Sequence, residues 1–197
     1  MKMTSIYQTL EDRGNYEEVI NNGPYYCSLY DEKGSLKKGI KVPWLGEGYY
    51  FWDTREEDAK WWGECTYSSK GKRYIVCKTT YDQQSDLLFD TLADLSKMDD
   101  LVRCAELIKE KWKINKVSFP FILSYLKETG NFNYKAIRVW PDPNNKISKD
   151  CINIFFPGEK TILSRIDKVQ ICFFDRTLLD KTFKIVYPNI LEENFTI

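Results

Sequence analysis

The stretch GYYFWD, at residues 48–53, decides the predicted fold and the predicted site. A glycine directly before four aromatic residues is typical of a loop that enters a β-strand. Side chains alternate along a strand, so Tyr50 and Trp52 point away from Tyr49 and Phe51. One pair can therefore pack in the core while the other lines a cleft. An aromatic strand buried in a sheet is the structural alternative, because aromatic runs usually belong to a core.

The segment that follows, TREEDAKWW at residues 54–62, predicts a helix. Thr54 is a suitable N-cap, and the acidic residues after it favour the positive end of the helix dipole. Successive helical residues point about 100° apart, so Trp61 and Trp62 face different directions. One indole can pack inward while the other offers a flat face to an aromatic, partly cationic ring. Packing of both indoles against the protein is the alternative.

A late segment, VQICFFD at residues 169–175, predicts an apolar strand with one polar interruption, Gln170. The amide of Gln170 can hold a ligand hydroxyl or a backbone group, because it carries both donors and an acceptor. Alternatively, Gln170 is the outward-facing residue of an alternating strand.

The remaining segments predict a mixed fold. Helices are expected at 13–22, over most of 87–112 with a break near Asp99, and at 119–127, and further strands at 4–9, 25–30, 73–80, 134–140, 151–156, 168–174 and 182–187. Strands around a central helical pair favour an α+β layout over alternating βαβ units. A chain of 197 residues fits one domain, 1–197, with a helical insertion at about 87–130.

The composition excludes several kinds of chemistry. The chain has no histidine, so neither a Ser-His-Asp nor a Cys-His nucleophile can be built. Its 29 basic and 29 acidic residues cancel, which gives no overall attraction for nucleic acid or an anionic membrane. Neither a membrane span nor a signal peptide is apparent. We therefore expect a cytoplasmic protein with reduced, mostly buried cysteines, no membrane association and no metal.

The two aromatic segments together resemble a signature of the ADP-ribosyltransferase superfamily, in its poly(ADP-ribose) polymerase-like branch. That signature reads Gly-apolar-Tyr-Phe-x-Asp, followed by a helix with Ala-x-Tyr, and residues 48–53 and 59–61 match it at the same offset. The resemblance implies two small, mostly antiparallel sheets around an NAD cleft. It implies that Tyr50 packs against the nicotinamide and that Trp61 replaces the second stacking aromatic.

Two further strands take part in the resemblance. Residues 170–175 resemble the strand that carries the family's catalytic glutamate, with Gln170 in place of that acid. Residues 6–9 are the best candidate for the family's opening Tyr-His-Gly-Thr motif, with Gln8 and no histidine, and 29–31 are the alternative. The resemblance thus gives Gln170, Tyr50 and Gln8 as catalytic candidates. It gives as NAD-binding candidates Tyr7, Thr9, Gly48, Tyr49, Tyr50 and Trp61.

The implied function is transfer of ADP-ribose from NAD, without a metal, to a macromolecular acceptor, either protein or nucleic acid. Such small domains act as toxins or defence effectors in bacterial and phage conflict. The loss of the carboxylate at Gln170 weakens charge stabilisation of the oxocarbenium-like transition state, unless Glu47, Asp53 or Glu64 substitutes. Two alternatives therefore stand beside the enzyme: an inactive module that binds NAD or a protein, and an interaction protein that uses the helical insertion as its partner surface.

Overall fold

The computed structural model describes residues 2–31, 33–37, 39, 42–141, 152–155, 162–165 and 168–189. Its α-helices are α1 (Tyr16–Asn22), α2 (Glu56–Thr66), α3 (Ser96–Trp112) and α4 (Phe119–Glu128). Its strands are β1 (Met3–Glu11), β2 (Tyr49–Asp53), β3 (Tyr74–Asp82), β4 (Leu88–Asp90), β5 (Ala136–Val139), β6 (Ile152–Phe155), β7 (Ile162–Arg165), β8 (Gln170–Phe173) and β9 (Lys184–Tyr187).

Within the described residues, seven strands form one sheet in the order β4-β5-β8-β2-β1-β3-β9. In this sheet the pair β4–β5 is parallel, and all other adjacent strands pair antiparallel. Strands β6 and β7 pair with each other, antiparallel and apart from this sheet. The sequence predicted β6, within 151–156, but not β7. The predicted α+β class is confirmed. The two small sheets that the resemblance implies are not confirmed: among the described residues, seven strands form one larger sheet and β6 and β7 form a separate pair.

The strand register gives each side of the sheet a fixed set of side chains, because directly paired residues share a face. Trp52 pairs with Tyr7 of β1 and with Gln170 of β8, so these three side chains lie on one face. We call this the helix-covered face. The opposite face carries Ile6 and Asp53, which pair with each other.

Each face has its own core. On the opposite face, Ile6, Phe51 and Phe173 pack with Val19 of α1 and with Phe183. The helix-covered face has two separate clusters. One lies near α2 and comprises Tyr7, Trp52, Ala59, Tyr74 and Val76, and the other joins the sheet to α3 and α4. The border between these two clusters therefore falls on β2 and β8, the strands that carry the predicted site.

The stretch 87–112 differs from its prediction. Residues Leu88–Asp90 are a strand instead of helix, because they pair in parallel with β5 and are buried. Helix α3 then starts at Ser96 and continues through Asp99, where a break was expected. Asp99 lies in the first turn of α3, and an acid there favours the helix dipole. The helical insertion therefore begins after β4.

Two more predictions fail in the first half of the chain. Residues 25–30 form isolated bridges instead of a strand, because the backbone N–H and C=O of Tyr25 bond to the side-chain amide of Gln8. Thr54 is not the N-cap of α2. It has a left-handed φ of 57°, and α2 begins at Glu56.

A buried charge cluster crosslinks three strands on the opposite face. The guanidinium of Arg138 on β5 donates to Asp53 of β2 at 2.8 and 2.9 Å and to Asp90 of β4 at 3.1 Å. The hydroxyl of Tyr81 also donates to Asp53, at 3.4 Å. Burial raises the pKa of Asp53 above its ordinary value, although the charge of Arg138 acts to lower it. The guanidinium bridges β2 and β4, which lie on either side of the β5–β8 pair.

The cysteines within the described residues are free thiols. Cys77 and Cys172 are buried, and burial raises the pKa of each to about 12. Cys27 and Cys65 are exposed, so the prediction of mostly buried thiols is wrong for them. Cys151 lies outside the described residues.

Among the described helices, none combines the length and the apolar character that a membrane span requires.

Candidate functional site

Trp52 is the centre of an aromatic cluster between the sheet and α2. It is 7% exposed, and its ring centroid lies 6.0 Å from that of Trp61 and 5.8 Å from that of Trp62. Trp61 and Trp62 are about equally exposed, at 40% and 41%. The buried indole of Trp52 thus supports two indoles that keep part of their surface open to solvent.

The start of α2 holds the chain where it enters β8. Asp58, which is buried, accepts a hydrogen bond from the backbone N–H of Lys168 at 2.8 Å and also binds Arg55. Lys168 has a left-handed φ of 56°, and its ammonium lies 4.3 Å from the ring centroid of Trp61. A positive charge is therefore fixed beside the exposed indole of Trp61.

Gln170 stands on the same face as Trp52, with which it pairs directly. Its side-chain carbonyl accepts a hydrogen bond from the indole N–H of Trp44 at 2.7 Å. The Trp44 ring lies 6.1 Å from that of Phe119 at the start of α4. We call Trp61, Trp52, Gln170 and Trp44 the tryptophan row. It follows the border between the two helical clusters.

Sequence reasoning missed Trp44. Its signal in the sequence is a tryptophan between Pro43 and Leu45, just before the glycines that lead into β2. No local pattern links this loop to Gln170, because the contact joins parts of the chain that are far apart in sequence.

Tyr50 lies on the helix-covered face, but its hydroxyl is used inside the protein. It donates to the backbone carbonyl of Gly46 at 2.7 Å and accepts from the N–H of Leu45 at 2.9 Å. Burial raises the pKa of Tyr50. The hydroxyl therefore holds the turn that carries Trp44, which gives Tyr50 a positioning role in the row.

The candidates on β1 are also engaged by the protein. The Gln8 amide bonds to the backbone of Tyr25 and, at 3.2 Å, to the carbonyl of Tyr50. The Thr9 hydroxyl donates to the carbonyl of Ala59 at 2.7 Å. Tyr7 is 8% exposed, and burial raises its pKa, with smaller contributions from acids of α2. Trp61 and Gln170 are thus both neighbours of Trp52, one by ring contact and the other by strand pairing, whereas Gln8 lies on the opposite face.

Gly48 and Tyr49 serve packing. A Cβ at Gly48 would lie 2.5 Å from the sulfur of Cys172 and 2.6 Å from the carbonyl oxygen of Phe173. The close neighbour of this glycine is therefore β8 rather than an open cleft. Tyr49 lies on the opposite face, where its ring contacts Tyr26 and its hydroxyl accepts from Arg176 at 3.2 Å.

We expect Gly48→Ala to lower the free energy of unfolding by about 1–3 kcal/mol, because the added methyl group overpacks against the sheet. Urea denaturation measures this loss. Adding Cys172→Ala should recover part of it, since the Phe173 carbonyl stays in place. A Gly48→Ala protein that is as stable as the wild type but no longer binds NAD would instead show that the glycine makes room for a ligand.

The acids that were considered as substitutes for the missing glutamate are occupied elsewhere. Glu47 accepts from the hydroxyl of Ser28 and from the N–H of Leu29. Asp53 is held by Arg138 on the opposite face, and Glu64 accepts from the hydroxyl of Tyr74 at 2.8 Å. None of these three acids therefore supplies the negative charge that the neutral amide of Gln170 lacks.

Two cavities stand out in the described part of the chain, and both lie away from the tryptophan row. The larger, of 460 Å³, lies between α3, α4 and residues 131–134. The second, of 420 Å³, is polar and lies around residues 83–97. In the row itself Trp44 and Trp61 are 37% and 40% exposed, and Trp52 is buried. In the same part of the chain, no group of three or more Cys, Asp and Glu side chains is arranged to hold a metal ion.

Comparison with known proteins gives no match: no family model, no curated protein and no solved structure matches the chain.

Proposed function

We propose that the chain is an ADP-ribosyltransferase-like protein that binds NAD along the tryptophan row. The observation that supports this proposal is that Trp61 and Gln170, which come from distant segments, both neighbour Trp52: the Trp61 ring lies 6.0 Å from the Trp52 ring, and Gln170 is the register partner of Trp52. These are the residues that the sequence resemblance assigned to nicotinamide stacking and to the ribose.

The chemistry of the row suits the nicotinamide and the ribose attached to it. Indole faces attract a flat cationic ring such as nicotinamide. The amide of Gln170 keeps its NH₂ group for a ribose hydroxyl while Trp44 holds its carbonyl. The ammonium of Lys168 already lies 4.3 Å from the ring centroid of Trp61, so stacking of nicotinamide on this indole requires the lysine side chain to move aside. In this arrangement the Tyr50 hydroxyl holds the turn that carries Trp44, and stacking of the Tyr50 ring on the nicotinamide stays a prediction.

Transfer to an acceptor is the enzymatic form of the proposal. The bond between nicotinamide and ribose breaks as positive charge develops on the ribose, and ADP-ribose passes to a protein or nucleic acid. A toxin or defence effector that acts in the cytoplasm fits this activity and the free thiols. A neutral Gln170 makes the expected turnover slow.

A second candidate is a module that binds NAD without transferring ADP-ribose. The engagement of Glu47, Asp53 and Glu64 favours it, because no acid among these reaches Gln170 to stabilise the developing charge. Titration calorimetry with NAD, combined with an assay of nicotinamide release, separates the candidates. Binding with release supports the enzyme, binding without release supports the module, and absence of binding overturns both.

The Trp61→Ala variant tests the stacking surface. We expect it to weaken NAD binding about tenfold, since stacking of one ring on an aromatic side chain contributes about 1–3 kcal/mol. Trp62→Ala is the matched control, because Trp62 lies on the same helix, is equally exposed and also contacts Trp52. Calorimetry on the two folded variants measures the difference. Equal effects of the two substitutions would contradict the assignment of Trp61.

A further inference from the structure

The 460 Å³ cavity lies outside the tryptophan row and is built by the helical pair. Its inner end is formed by side chains that solvent hardly reaches, including Leu101, Ile108 and Phe132. Leu107, which is 59% exposed, stands at its mouth. The cavity therefore opens to solvent at one side and is apolar within. Cavities of about 300–1,000 Å³ with such linings are the usual sites for small molecules.

One wall of the cavity is aromatic. The ring centroids of Phe89, Phe132 and Tyr134 lie 5.0–5.4 Å apart, with two of the three pairs edge to face. Phe89 and Phe132 are 6% and 7% exposed, so only a small part of each ring faces the cavity. A flat aromatic ligand would pack against this part of the wall.

The polar groups at the cavity indicate the charge of the ligand. Lys111 lines it and donates one hydrogen bond to the hydroxyl of Tyr125 at 2.9 Å. An ammonium has three N–H donors, so donors remain for a ligand. Asp100 also lines the cavity, but it precedes Lys111 by three turns of α3, about 16 Å along the helix axis. The Lys111 end of the cavity thus suits an anion.

We propose that this cavity binds a small aromatic carboxylate, with its ring system against Phe132 and Phe89 and its carboxylate on the ammonium of Lys111. This site is separate from the tryptophan row and does not depend on NAD binding. A molecule of two fused rings matches the apolar interior, and the charge-assisted hydrogen bond at Lys111 orients it.

The test uses the full chain and two probes, 2-naphthoate and its neutral amide analogue 2-naphthamide. Calorimetry should show binding of both, with 2-naphthoate the tighter. Lys111→Met should weaken 2-naphthoate at least tenfold and leave 2-naphthamide unchanged. Equal loss for the two probes, or no loss for either, would overturn the role of Lys111.

A cavity-filling variant tests the location of the site. Cys104 lines the cavity, so Cys104→Phe should abolish binding of both probes. Val102→Phe is the matched control, because Val102 is an exposed residue of the same helix and does not line the cavity. Thermal melting establishes that each variant is folded. Unchanged binding by a folded Cys104→Phe protein would overturn the site, as would absence of binding by the wild type at millimolar probe. Protection of Cys104 from alkylation by iodoacetamide when the probe is bound gives a second measurement.

Discussion

Replacing Arg138 with methionine should lower the free energy of unfolding by about 3–5 kcal/mol. The substitution leaves Asp53 and Asp90 buried without a counter-charge, and Asp53 is only 3% exposed. It also removes the connection from β4 to β2. Urea denaturation followed by circular dichroism measures the loss.

The pH dependence of this variant has a definite sign. Arg138 acts to lower the pKa of Asp53, so its removal raises that pKa further above the value of the unfolded chain. The native state then binds more protons than the unfolded state between these two pKa values, and stability falls as the pH rises through that range. We therefore expect Arg138→Met to regain stability as the pH is lowered toward the ordinary pKa of an aspartate, about 3.9.

The control for this prediction is Lys135→Met on the segment that leads into β5. Lys135 forms an exposed ion pair with Asp175 at 3.0 Å, and such pairs contribute about 0–1 kcal/mol. A triple variant that adds Asp53→Asn and Asp90→Asn to Arg138→Met should recover part of the loss, since no buried charge remains. If Arg138→Met proved as mild as Lys135→Met, the buried cluster would not stabilise the fold.

The Gln170→Glu variant should release nicotinamide from NAD about a hundredfold faster than the wild type. A carboxylate at this position keeps the acceptor that Trp44 needs and adds negative charge where positive charge develops on the ribose. Preorganised groups of this kind change rates by about 10²–10³. The measurement is the rate of nicotinamide release at saturating NAD, because this rate does not depend on the affinity for NAD.

Gln84→Glu is the matched control, because it adds the same charge at an exposed site away from the row. It should leave the rate unchanged. If Gln170→Glu binds NAD like the wild type but releases no nicotinamide, the chain is a binding module whose remaining geometry does not support transfer. Loss of NAD binding on this substitution would remove Gln170 from the site altogether.

Local sequence signals predicted the elements that depend on local energetics. Helix α4 was expected at 119–127 and runs Phe119–Glu128, since its apolar period and the following Gly130 define it within a few residues. Strands β2 and β3 follow similarly from their aromatic and β-branched content. The placement of Trp52 and Gln170 on one face follows from alternation once the two strands pair.

Other features depend on partners distant in sequence. Residues Leu88–Asp90 carry a helical pattern of apolar residues, but pairing with β5 makes them a strand. Gln8 was assigned to a ligand, whereas its amide satisfies the backbone of Tyr25. The bond from Trp44 to Gln170 likewise appears only when the loop before β2 folds over β8. In each case long-range hydrogen bonding determines which local preference prevails.

The two outer strands of the large sheet limit how this protein can assemble. Strand β4 has three residues and β9 has four, and Pro188, which follows β9, has no backbone N–H to donate. A neighbouring chain that tried to lengthen the sheet would find few unpaired amide and carbonyl groups at either border. Lengthening of the large sheet by a neighbouring strand at β4 or β9 is therefore disfavoured.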